Sequence, residues 1–281
     1  MGRCDRSGEG VGGRAVKIRC MDGFDKGWHF DNTAHEATLK PLCLELEKHF
    51  TLPARRLLRY FASSDDCQLR QEPPVGFGAY YRGFYMPLSA RGCLPLYLQE
   101  CFFHPLEQFT EVVPFEKMVA FDSLIYLRES TCSDVTGCVT NYAHELQHFV
   151  QHCLTPRLLA ANNTLYQNLA LYEPDALTTD IPSERDAEIK SKRVAEMVCG
   201  VEAVRAFAEK QIRTMEEMGE HKQKGKWLFF RDVPSSTDFN LPKATLPLVE
   251  KYKGRMDFEK IDVNQPEWWS GPLEDSEIGA K

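Results

Sequence analysis

Residues His144-Glu145-Leu146-Gln147-His148 set two imidazoles four positions apart with a carboxylate next to the first. On a helix, positions i and i+4 share one face about 6 Å apart along the axis. Two rings so placed can hold one metal ion between them. Glu145 is offset by one residue and so lies beside such an ion rather than on it. A base must stand there to take a proton from metal-bound water. A bare H-E-x-x-H arises by chance in about 2% of chains with this His and Glu content. Two further features argue against chance: the motif sits inside a strong helical pattern, and carboxylates recur downstream at the start of another helix.

The elements that must position these groups are legible in outline. Ser133 or Asp134 can cap a helix whose apolar positions are Val139, Tyr142, Ala143, Leu146, Phe149, Val150 and Cys153. A second helix is expected over 156–172. A third begins at Ser183, where Ser183 and Asp186 form an S-x-x-D capping box with Pro182 just outside, and runs to Gly200. Another follows over 201–218. Upstream, Asp31, Asn32 or Thr33 can cap a helix over 33–50, with Leu39, Leu42, Leu46 and Phe50 at helical spacing. A shorter helix is expected over Arg55–Ala62. Residues 75–100, full of aromatics, Gly and Pro, read as short strands and turns. Residues 117–127 (KMVAFDSLIYL) are the best strand candidate, with an edge that could take an extended peptide.

Residues 139–152 (VTNYAHELQHFVQH) resemble the active-site helix of zincin metallopeptidases, and 183–188 (SERDAE) resembles the glutamate-bearing helix of the gluzincin branch. The form E-x-x-A-[DN] marks ImmA/IrrE-type peptidases, and here it reads Glu184-Arg185-Asp186-Ala187-Glu188. The resemblance implies a metal site of His144, His148 and Glu184 with one zinc ion, Glu145 as catalytic base, and Glu188 orienting a ligand histidine. It departs from the pattern in having Glu at 188 and in a long interval between His148 and Glu184. Glu188, His152, Asp175 and Asp180 stand as rival ligands. Position 152 continues the 144–148 stripe but is displaced along the helix and rotated away. The metzincin extension is excluded, because Gln151 and Leu154 stand where it needs Gly and His. A His₂Glu set with an open position suits zinc. Cys138 and Cys153 read as small buried hydrophobes. Tyr166, Tyr172 and Arg193 are candidates to stabilise an oxyanion.

The whole chain of 281 residues carries 34 basic and 41 acidic side chains, net −7, with 43% apolar residues. That balance fits a globular protein with a sizeable core and excludes wholesale disorder, collagen and coiled coil. It argues against a nucleic-acid partner, although His221–Lys226 is locally basic. No apolar run is long enough to span a membrane. Ten cysteines without a CxxC pair and a start without an apolar leader point to a reduced, cytoplasmic protein; export by a dedicated apparatus would leave the same marks. The Gly8, Gly10 and Gly13 run lacks the preceding strand that a pyrophosphate site needs.

The expected fold is α+β: a small, twisted, mostly antiparallel sheet packed on the His144–His148 helix, with a second helix bearing the Glu ligand. The expected organisation is a disordered tail over 1–15, one domain over 16–256 and an acidic tail over 257–281. Within the domain, the catalytic core covers about 117–218 and an accessory part 16–116. The function expected from the resemblance is a zinc-dependent metallopeptidase acting on a protein or peptide. A non-catalytic binding module of the same fold and a delivered effector protease are the alternatives.

Overall fold

The computed structural model describes residues 26–62, 83–87 and 121–258. The expected tail at 1–15, most of 75–100, residues 117–120 and nearly all of the acidic segment lie outside them. The described chain runs β1 (Trp28–Phe30), α1 (Thr33–Glu47), β2 (Leu57–Phe61), β3 (Gly83–Pro87), β4 (Ser123–Leu127), the short α2 (Glu129–Cys132) and α3 (Val135–Leu154). It continues through α4 (Pro156–Tyr172), a 3-10 turn at Thr178–Asp180, α5 (Pro182–Cys199), α6 (Val201–Glu217), α7 (His221–Asp232) and α8 (Leu241–Tyr252). The architecture is α+β and mostly helical.

The four described strands form one sheet in the order β1-β2-β4-β3. β1 pairs parallel with β2, and β2 pairs parallel with β4; only β3 runs antiparallel to β4. The expectation of a mostly antiparallel sheet is therefore corrected to a mixed one. Parallel neighbours need a long crossover between them, and α1 supplies it from β1 to β2. β4 lies between β2 and β3, so its edges are already used, and the idea of a peptide adding to it falls.

Arg55–Ala62 is not a helix: Leu57–Phe61 is a central strand, buried along its whole length. A short apolar run buried on both faces has no period to distinguish strand from helix. Its one charged residue, Arg59, is buried because its partners come from elsewhere. Its Nε donates to Glu47 Oε1 at 2.6 Å and to the Tyr142 hydroxyl at 2.8 Å, and its guanidinium lies 4.6 Å from the Trp28 ring centre. Tyr142 in turn donates to Glu47. This network ties β2 and α1 to α3 two residues before His144. Removing one member of a buried ion pair strands the other. Arg59→Met is expected to lower the stability of the fold by about 3 kcal/mol in urea unfolding. A change below about 0.5 kcal/mol would show that the pair does no more than a surface bridge.

The main core lies where Leu57, Phe61, Ile125 and Leu127 of the sheet meet α1, α3, α5, α6 and α7. α1 buries Leu39, Cys43 and Leu46 and is capped by Asn32, whose side chain accepts from the Ala34 N–H. Gly200, at φ 89°, ends α5 and begins α6, a turn that a side chain would strain. α7 and α8 arise in the polar region after Gly219. α7 buries only Trp227 and Phe230, a stripe too sparse to announce a helix; α8 buries Leu241, Thr245, Val249 and Tyr252 at helical spacing behind an Asn240 cap, but carries Pro247 in its interior, a residue that speaks against a helix. No described helix is long and apolar enough to cross a membrane.

Candidate metal centre

α3 begins at Asp134, whose carboxylate accepts from the Gly137 N–H at 2.9 Å. Its apolar face, including Val139, Leu146 and Phe149, enters the main core, while His144, Glu145 and His148 are buried elsewhere on its circumference. A helix buried on nearly all sides belongs to the centre of a domain.

α5 reaches this helix through a different start from the expected one. Ile181 precedes it, with Pro182 at its first position. The Ser183 N–H is taken by Asn162 Oδ1 of α4 at 3.0 Å, so Ser183 and Asp186 form no capping box. Asn162, fully buried, also donates to Leu158 O and to Thr245 Oγ1. The long interval between His148 and Glu184 is thus occupied by α4, which holds the start of α5 in place. Glu184 then falls in the first turn, where the helix dipole favours a carboxylate.

His144, His148 and Glu184 each offer a ligand atom, all within 4.8 Å of one another. His144 Nε2 is 3.5 Å from Glu184 Oε2, His148 Nε2 is 3.3 Å from Glu184 Oε1, and the two Nε2 atoms are 3.1 Å apart. Among the described residues this is the one such group of three. The opposite ring nitrogens are held by other residues. His148 Nδ1 lies 2.8 Å from Gln151 Oε1, and the Gln151 amide donates to Ser183 O at 3.0 Å and Asp186 Oδ2 at 2.8 Å. Gln147 donates to the same Asp186 oxygen at 2.7 Å. His144 Nδ1 lies 3.2 Å from Glu188 Oε1, off the line of a well-formed hydrogen bond. Lys226 Nζ meets that same Glu188 oxygen at 2.7 Å. With Nδ1 carrying the proton on each ring, Nε2 is left to face Glu184.

The charges of this buried set oppose its desolvation. Burial works against the charged form of His144, but Glu188 and Glu184 outweigh it and carry its pKa up to about 10. Burial likewise opposes charge on His148, and Glu184 overcomes it to raise that pKa. Burial would push Glu184 up, yet His148 and His144 hold it well below the usual carboxylate range. Burial is again outweighed at Glu188, which Lys226 and His144 hold down to about 2. Glu145 differs from both. Burial raises its pKa, the two histidines only partly counter this, and among the described residues its carboxylate has no hydrogen bond or ion pair.

The rival ligands are placed elsewhere. His152 Nδ1 is 2.5 Å from the Tyr85 hydroxyl on β3, and burial together with Arg55 lowers its pKa to about 4. Asp180 accepts from the Leu177 N–H and from Arg185, and Asp175 is exposed. Glu188 faces the far nitrogen of His144 rather than the Nε2 pair. The oxyanion candidates are spent on the scaffold: Tyr172 donates to Arg255 O, Arg193 donates to Ser235 O and Thr237 O, and Tyr166 packs against the α4–α8 cluster. Cys138 is fully buried in the core and Cys153 half-buried at the end of α3.

Gln151, Asp186, Asn162 and Lys226 are site residues that reading the sequence missed. Gln151 carried a signal, since it stands three residues after His148 on one side of the helix. The other three are brought in by packing alone. Comparison with protein-family models, with curated proteins and with solved structures returned no match for this chain.

Proposed function

We propose that this chain is a zinc-dependent metallopeptidase that hydrolyses peptide bonds of a protein or peptide. The observation that carries the reading is the convergence of His144 Nε2, His148 Nε2 and a Glu184 oxygen within 4.8 Å, with Glu145 buried beside them and without a hydrogen bond or ion pair among the described residues. Two imidazoles and one carboxylate form a donor set that suits zinc and leaves coordination open for substrate chemistry. The three atoms crowd together as a cation would demand, and each imidazole is braced from behind. Bound there, the ion would polarise a substrate carbonyl and bring the pKa of a water molecule towards neutrality.

The remaining work falls to the chain's own residues. His144, His148 and Glu184 hold the cation. Gln151 and Glu188 fix the rings so that Nε2 points inward. Glu145, without a hydrogen bond or ion pair among the described residues and with its pKa raised by burial, accepts a proton from the attacking water and returns it to the leaving amine. A purely structural cation would need no base beside it, and this favours catalysis over a binding module.

Metal analysis paired with digestion of a generic peptide library tests the reading. About one zinc per chain is expected, lost in His148→Ala, with cleavage lost alongside it. Zinc retained without cleavage of any peptide would favour the binding module. A chain that takes up no zinc would end the proposal.

A further inference from the structure

We propose that Lys226 is a positioning residue of this centre: its ammonium holds the Glu188 carboxylate against the far side of His144 and balances the third carboxylate of the site. Glu188 then orients an imidazole instead of joining the ligands of the cation. The inference rests on the metallopeptidase reading and deepens it.

The contact is direct. Lys226 Nζ is 2.7 Å from Glu188 Oε1, the same oxygen that lies 3.2 Å from His144 Nδ1. The Glu188 side chain is 3% exposed and that of Lys226 20%, so water screens the pair weakly. Glu188 sits one turn after Glu184 on the same face of α5. A second carboxylate there, left without a cationic partner, would be drawn towards any divalent ion held by the first.

Charge counting points the same way. Three carboxylates, Glu145, Glu184 and Glu188, lie nearest the two imidazoles, while Asp186 stands further back, behind Gln151. A divalent cation would supply two positive charges and Lys226 the third, matching those three. Buried ions are tolerated when paired, and an unbalanced one is costly. No other lysine or arginine forms an ion pair with any of the three among the described residues.

The element that delivers Lys226 is seated for it. α7 is anchored in the main core by the next residue, Trp227, and by Phe230. On the other side, Gly225 lies so close to Leu177 that a Cβ would come within 2.8 Å of its side chain. Leu177 belongs to the turn that leads into α5. The segment carrying Lys226 is therefore packed against the approach to the helix that carries Glu184 and Glu188.

The test measures zinc affinity by competition with a chromophoric chelator, the visible spectrum of the cobalt(II) form, and kcat on a cleaved peptide. Lys226→Met is expected to bind zinc more tightly, by at least about fivefold, because the cage has lost a positive charge. Its cobalt(II) bands should weaken as coordination rises, and kcat should fall by at least about tenfold. Lys226→Arg should keep the wild-type affinity and spectrum. Lys226→Met combined with Glu188→Gln should return the affinity towards wild type, since the charge and its counter-charge have both gone.

Wild-type affinity, spectrum and kcat in Lys226→Met would overturn the inference while leaving the metallopeptidase reading intact. Equal loss of zinc in the single and double variants would reduce Lys226 to an ordinary structural ion pair and overturn it as well. A wild-type chain that binds no zinc would remove the reading itself, and this inference with it.

Discussion

Glu145→Gln is expected to keep its zinc and lose peptide hydrolysis by about 10²–10⁴-fold, the range that a positioned general base contributes. The separation follows from geometry. The three converging ligand atoms belong to His144, His148 and Glu184, and Glu145 is not among them. Nor does it brace a neighbour, since it has no hydrogen bond or ion pair among the described residues. Glutamine fills the same volume, so the core face of α3 is undisturbed, and only the ability to accept a proton is removed. Burial raises the pKa of Glu145, so it also favours returning that proton to a leaving amine. Zinc content by metal analysis and turnover on the same peptide decide the matter. A variant that cleaves within about tenfold of the wild type would assign the base elsewhere. Loss of zinc with the carboxylate would make Glu145 a ligand or a support of the fold.

Zinc binding to the metal-free protein is expected to release about one proton at pH 7.5, and its apparent affinity to rise about tenfold per pH unit through the neutral range. The two Nε2 atoms lie 3.1 Å apart, a distance that admits a single proton between them. The imidazoles therefore titrate as a pair with one excess proton. Glu188 and Glu184 stabilise that proton, and the pKa of His144 is carried up to about 10. The sign follows directly. Below that value the pair is protonated when metal-free, and the incoming cation must expel the proton, so affinity increases with pH. Above about 10 the proton has already gone and the dependence flattens. Glu184 and Glu188 are held low and contribute no proton in this range. Calorimetry in buffers of different ionisation enthalpy counts the protons. A pH-independent affinity between 6 and 9 would refute the shared proton.

The parts of this centre that were legible in the chain are those governed by local spacing. His144, Glu145 and His148 declare themselves because four residues make just over one helical turn, wherever the helix is placed. Asp134 and Gly200 mark the ends of α3 and α5 for equally local reasons: a carboxylate beside free N–H groups, and a backbone angle that favours glycine. Glu184 and Glu188 could be named from a pattern, but spacing alone left His152, Asp175 and Asp180 beside them as choices.

Other features depended on groups far away along the chain. Arg59 hid a central strand because its burial requires Glu47 and Tyr142, which are 12 and 83 positions distant. Strand direction hid likewise, since parallel or antiparallel pairing is settled between segments and not within one. Asp186 reads as a helix cap by spacing, yet it serves Gln147 and Gln151 because α3 crosses it.

The linear order of residues alone thus determined a helix able to present two imidazoles and a base to one side, together with the identity of the carboxylates available downstream. Only the tertiary structure decided which carboxylate approaches the Nε2 pair, which one stands behind His144, and that a lysine from α7 meets the latter. Such proximity is settled between atoms a few ångströms apart. The residues concerned span positions 144 to 226, and packing alone brings them within reach.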